Sequence, residues 1–294
     1  MKRNRYASVL SSLLLTFAGC GGSSGSNDQS NGNGGSKPVV INSVQKANNT
    51  FAVIGGVVDL EDFVTNDLNY QNYVSQGNER VLQNVGSGDY TCSAGGSVQY
   101  NVQMDNELQP PKYDIALTFN TCKDAGSQID GSVHYTGTQN AMTIALTDLQ
   151  ATEDGGRTTL DNFTIDANMS QSQMRLVFNG TAHHTEGGHT QNWQMNGMKI
   201  DIDHLDNPPQ TMAINGTVSL TSDPAGCADG TYNVETVERV VIDAQTEDPV
   251  LGKVKVNDVT YTFNGDGTAT TTINGQPVTI DPDEVDDINC SSAG

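Results

Sequence analysis

Residues 129–136 read Ile129-Asp130-Gly131-Ser132-Val133-His134-Tyr135-Thr136. Every second residue is apolar or glycine and every residue between is polar. That period of two belongs to a β-strand with one face buried and one face wet. The pattern recurs along the chain. Met142, Ile144 and Leu146 alternate with polar residues or alanine, as do Met174, Leu176 and Phe178. So do Met212, Ile214, Gly216, Val218 and Leu220, then Tyr232 and Val234, then Val259, Tyr261 and Phe263. Between these runs stand turn residues: Asp154-Gly155-Gly156, Glu186-Gly187-Gly188, Asn207-Pro208-Pro209, Asn264-Gly265-Asp266-Gly267 and Asn274-Gly275. These are hairpin punctuation.

The connections are too short for helical crossovers, which excludes a parallel βαβ sheet. The expected fold is all-β: a long antiparallel meander of roughly ten to thirteen strands over residues 88–294. A sheet that long must curl, close or split. A strongly curved or barrel-like single domain is therefore expected. Outward positions carry too many Asp, Asn and Gln to face lipid, which argues against a transmembrane barrel.

Residues 38–87 differ. Val44, Ala47, Phe51, Ile54 and Val58 fall near helical spacing, and Leu60, Phe63, Val64 and Leu68 continue the stripe. One or two short N-terminal helices are expected, weakened at Gly55-Gly56. Ser43 is read as a helix N-cap rather than as the serine of an S-x-x-K catalytic motif, because no partner motif accompanies it.

The chain of 294 residues holds 14 basic and 35 acidic residues, for a net charge of −21. That balance excludes a nucleic-acid binder, which needs a basic stripe. A mean hydropathy of −0.43 excludes a polytopic helical membrane protein.

The first twenty residues form an address. Lys2, Arg3 and Arg5 precede an apolar run from Ala7 to Ala18, too short for a permanent span. Phe17-Ala18-Gly19-Cys20 resembles the lipobox of bacterial lipoproteins, with Phe17 where leucine is usual. The resemblance implies a signal peptide over 1–19, cleavage before Cys20, and acylation of Cys20 as a membrane anchor. Cleavage would leave 11 basic against 35 acidic residues, a net charge of −24. Such a domain stands off anionic lipid. Gly21 after the cysteine, by the same resemblance, implies the outer membrane, with the domain in the periplasm or at the cell surface. Residues 20–37 are a Gly/Ser/Asn tether spanning roughly 20–25 Å. Gly21-Gly22-Ser23-Ser24-Gly25 matches G-x-S-x-G but lacks the strand and helix a nucleophile elbow needs.

Four further cysteines, Cys92, Cys122, Cys227 and Cys290, would sit in an oxidising space as two disulfides. Three pairings exist. A hairpin about Leu108 to Pro110 brings Cys122 opposite Cys92, so Cys92–Cys122 is expected, with Cys227–Cys290 by elimination. Cys92-Ser93-Ala94-Gly95-Gly96-Ser97, Thr118-Phe119-Asn120-Thr121-Cys122 and Asp130-Gly131-Ser132-Val133 resemble a pattern in uncharacterised β-rich proteobacterial envelope lipoproteins. That resemblance spans Cys92 to Gly137 and implies a fold without an activity.

Candidate chemistry is sparse. His183, His184, His189 and Glu186 flank one hairpin and would have to converge to hold Zn²⁺ or Cu²⁺. Asp201, Asp203 and Asp206, and Asp281, Asp283, Glu284, Asp286 and Asp287, read as solvated acidic loops, since neither fits a calcium loop. No nucleophile, base and orienting group assemble with specificity, so neither enzyme activity, cofactor nor metal site is expected. The methionines are more informative. Met142, Met169, Met174, Met195, Met198 and Met212 cluster within seventy-one residues. Thioethers adapt to varied shapes. They fill a core, or they line a groove for a lipid or hydrocarbon, by fold-level analogy with the curved sheets of lipoprotein-sorting carriers. The alternative is a structural or assembly module that binds another envelope protein through sheet edges or loops.

Overall fold

The computed structural model describes residues 37–62 and 86–281, apart from 125–126, 139, 154–155, 187, 206–208, 224–227 and 244–248. Among the described residues one helix, α1 (Val44–Asp62), precedes fourteen strands. These are β1 (Gly86–Thr91), β2 (Ser97–Asp105), β3 (Lys112–Asp124), β4 (Ser127–Thr138), β5 (Ala141–Glu153), β6 (Gly156–Met169) and β7 (Gln173–Glu186). Then follow β8 (His189–Asp203), β9 (Gln210–Asp223), β10 (Gly230–Ile242), β11 (Pro249–Val256), β12 (Val259–Phe263), β13 (Ala269–Ile273) and β14 (Gln276–Ile280). Each strand pairs with its sequence neighbours in a single sheet ordered β1 to β14, every pairing antiparallel. The antiparallel meander is as expected, with fourteen strands where roughly ten to thirteen were expected. The sheet is open: β1 and β14 do not pair, so it is not a closed barrel.

Strands β3 to β10 run 12 to 15 residues, about twice the usual length. Bulges let them stay that long. On β6, Thr158 and Leu160 face the core, and after the bulge at Asn162 (φ 47°) Phe163, Ile165 and Ala167 do. The inward parity changes from even to odd because one extra residue is inserted. Asp148 (φ 49°) does the same on β5, and Gly197 (φ 60°) does it on β8. Thr121 (φ 46°) marks a bulge on β3.

Opposite the bulges on β5, β6 and β8 an inward glycine removes a side chain. A Cβ on Gly131 would lie 2.3 Å from the Asp148 carbonyl oxygen. On Gly216 it would lie 2.6 Å from Met198 Cα, and on Gly180 2.5 Å from Phe163 Cα. The residue before the glycine caps a bulge on its other side. Asp130 Oδ1 accepts the Thr121 N–H at 2.6 Å, Asn179 Oδ1 the Gly197 N–H at 2.7 Å, and Asn215 Oδ1 the Thr236 N–H at 3.0 Å. The mid-strand pairs Asp130-Gly131, Asn179-Gly180 and Asn215-Gly216 are thus one repeated device. Each bulge bends its strand and increases local twist.

The N-terminal segment is fastened to the far half of the sheet. Val39 N–H donates to Thr231 O and Thr231 N–H to Lys37 O, both at 3.0 Å. Ser43 Oγ accepts the Lys46 N–H at 3.2 Å, the N-cap read from sequence. From there α1 is continuous through Gly55-Gly56. Ala47, Thr50 and Val53 are buried, and Phe51 stacks at 6.0 Å on Tyr261 and on Phe263. The Tyr261 hydroxyl donates to Ala47 O at 3.2 Å. The continuation of the stripe at Phe63, Val64 and Leu68 lies outside the described residues. No helix among the described residues is long and apolar enough to cross a membrane.

The β2–β3 hairpin runs in register from Ser97↔Asn120 to Asp105↔Lys112. It carries Cys122 to the turn after β1, where Cys92 and Cys122 form a disulfide with Cα atoms 5.5 Å apart. Cys227 and Cys290 lie outside the described residues, as do Cys20 and the tether up to residue 36.

Candidate functional site: the methionine-bearing inner face

The register collects the methionines of distant sequence. Met169 on β6 pairs with Met174 on β7, Met174 with Ile202 on β8, and Ile202 with Met212 on β9. Three thioethers and one isoleucine thus form a cross-strand row at one end of the inner face. Met142 sits in the adjacent row, which continues Ala167, Leu176, Ile200, Ile214. Met195 and Met198 lie mid-sheet, flanking the Gly197 bulge, Met198 opposite Phe178. Sequence order alone did not reveal this arrangement, because the bulges decide which residues share a row.

Five of these side chains are buried: Met142, Met174, Met195, Met198 and Met212 are all at most 8% exposed. Met169, at the end of the row, is 41% exposed. Ala47 and Val53 of the helix belong to the same buried cluster as these methionines. The helix's aromatic and hydrogen-bond contacts are with Tyr261 and Phe263 of β12, three strands beyond Met212.

Two open recesses lie on the surface at the methionine end of the sheet. One, of about 690 Å³, is lined by Met169, Met174, Gln173 and a charged clasp on the outer face. Arg175 pairs with Asp201, which holds the guanidinium further into its charged form. Arg239 pairs with Asp203 at 2.8 Å and also donates to Asp201 O at 3.1 Å, reaching from β10 across β9 to β8. The other, of about 540 Å³, includes Met142, Lys112 and Asp166, with Thr143 Oγ1 donating to Asp166 at 2.6 Å. Both recesses are lined mainly by polar groups.

At the opposite end the inner face changes character. Thr158, His184 and Gln191 are directly paired across β6, β7 and β8 and are all at most 5% exposed. Thr158 Oγ1 and His184 Nδ1 are 2.8 Å apart, and Trp193 Nε1 donates to Gln191 Oε1 at 3.3 Å. His183 faces the other way. Its Nε2 lies 3.0 Å from Asp161 Oδ2 and its Nδ1 meets Asn192 Oδ1. His183 and His184 therefore occupy opposite faces and cannot share a cation. His189 is placed by backbone register opposite Glu186. Among the described residues no three metal-binding side chains come together. Asp201 and Asp203 are engaged by the two arginines. Asp206, Asp283, Glu284, Asp286 and Asp287 lie outside the described residues.

Comparisons with protein-family models, with characterised proteins and with solved structures returned no significant match to this chain.

Proposed function

We propose that this chain is a non-catalytic lipoprotein, anchored through Cys20 to the outer membrane. In this reading its sheet curls strongly around the inner face and holds an apolar ligand, a lipid or hydrocarbon, against the methionine row. The domain works in the periplasm or at the cell surface on its tether.

The observation that supports it is the row Met169–Met174–Ile202–Met212 with Met142 beside it. It ends in an exposed thioether at an open recess. Flexible thioethers accept varied apolar shapes at little rotameric cost. The curvature follows from the bulge-and-glycine pairs on β4 to β9, since each bends its strand.

Native mass spectrometry of the Cys20→Ala chain, purified from an oxidising periplasm, tests the reading. A reproducible mass excess that organic extraction removes, and that matches a lipid or hydrocarbon, is expected. The bare mass of the oxidised chain would count against the carrier.

A further inference from the structure

The two ends of the sheet are not alike. At β14 the five-residue edge carries Pro277, which interrupts pairing with a further strand. At β1 the six residues Gly86-Ser87-Gly88-Asp89-Tyr90-Thr91 contain no lysine and no proline. They pair with β2 without a bulge, from Gly86↔Val102 to Thr91↔Ser97. All but Gly88 are exposed, and among the described residues nothing pairs with the outer side of β1. Natural sheets guard such an edge with charge, proline, bulges or a covering element.

The backbone alternation fixes what the edge offers. Cys92 N–H bonds Gly96 O at 3.1 Å. The N–H groups of Tyr90, Gly88 and Gly86 therefore point toward β2, and those of Ser87, Asp89 and Thr91 point outward. The core also runs out here. Tyr90 is 45% exposed and Leu108 is 48% exposed, while Tyr100 and Tyr113 are only half-buried where they pack on the core. Partly exposed aromatics beside free backbone groups are what strand addition uses: ladder bonds for affinity, alternate side chains for specificity.

We propose that β1 is a docking edge for an extended segment of a different protein, which adds as a fifteenth strand. Its alternate residues are apolar, covering Tyr90 and Tyr100, and its intervening residues are basic, facing Asp89. A second copy of this chain fits poorly, because two chains of net charge −21 repel. Charge complementarity selects a basic partner.

The test uses the full chain carrying Cys20→Ala, with the Cys92–Cys122 bond formed. The probe is a synthetic peptide of about nine residues alternating valine with lysine and threonine. Hydrogen–deuterium exchange is followed over residues 86–91. The peptide is expected to slow exchange at Ser87, Asp89 and Thr91 at least tenfold, while a non-alternating peptide of equal composition does not. Asp89→Pro, which removes an outward N–H, is expected to abolish the effect. If that variant misfolds, Asp89→Lys serves instead and should weaken binding of the basic peptide at unchanged circular dichroism. The proposal is overturned if these amides are already protected in the chain alone, or if the peptide does not slow them. Equal protection in the folded variant would also overturn it, as would protection that grows with protein concentration alongside dimers in sedimentation.

Discussion

Replacing Gly216 by alanine should unfold this sheet far more readily than the same change at Gly275. Both glycines have positive φ, +141° at Gly216 and +79° at Gly275. Gly275 sits in the β13–β14 turn with no atom within 4 Å of a built Cβ. Alanine there costs only the left-handed conformation, about 1–2 kcal/mol. At Gly216 the Cβ would lie 2.6 Å from Met198 Cα and 2.7 Å from Gly197 O. Both neighbours are backbone and cannot rotate away. Strain of about 1–3 kcal/mol adds to overpacking of about 1–3 kcal/mol, for a central value of about 4 kcal/mol. At about 2–4 °C per kcal/mol for a domain of this size, Gly216→Ala lowers Tm by about 8–16 °C and Gly275→Ala by about 3–6 °C. Thermal unfolding of the two variants by circular dichroism reads the difference. Midpoints within about 2 °C of each other would refute the claim that inward glycines make room for the opposing bulges.

Two further outcomes follow from named groups. Replacing Cys92 and Cys122 together by alanine frees a loop of sequence separation 30. Loop entropy puts the loss at about 3–4 kcal/mol, read by guanidinium unfolding, with parent and variant converging once both are reduced. Tyr232 and Tyr261 are at most 1% exposed, and burial raises both phenol pKa values well above the ordinary value of 10.0. A raised folded-state pKa means the contribution is intact below pH 10 and falls as pH rises past 10 toward the folded value. Unfolding midpoints should therefore drop above pH 10, and Tyr261→Phe, which also loses the bond to Ala47 O, should show a shallower drop. An unchanged slope would contradict it.

Much of this architecture was legible in the residues because alternation and turn chemistry agree. Met174, Leu176 and Phe178 read as a strand and are one, and Ser43 read as a cap and is one. The Cys92–Cys122 pairing followed from the hairpin between them. The bulges were not legible. A strict period of two carries Met142, Ile144 and Leu146 forward to Asp148, whereas Leu149 and Ala151 are the next buried residues. An αL residue such as Asp148 or Asn162 carries no signal that separates a bulge from a turn, because both need the same backbone. The pairs Asp130-Gly131, Asn179-Gly180 and Asn215-Gly216, set inside alternating runs rather than between them, were the available clue. The methionine row was hidden for the same reason. Which thioethers share a row depends on register, and register depends on each inserted residue.

The carrier reading stands or falls on whether that row touches a ligand. Methyl-labelled methionine spectra of the Cys20→Ala chain, titrated with a long-chain fatty acid, address it directly. Saturable shifts of Met142, Met174 and Met212, with Met104 on β2 unmoved, are the result this account predicts. Spectra unchanged at excess ligand, or shifts that spread over all methionines without saturating, would contradict it.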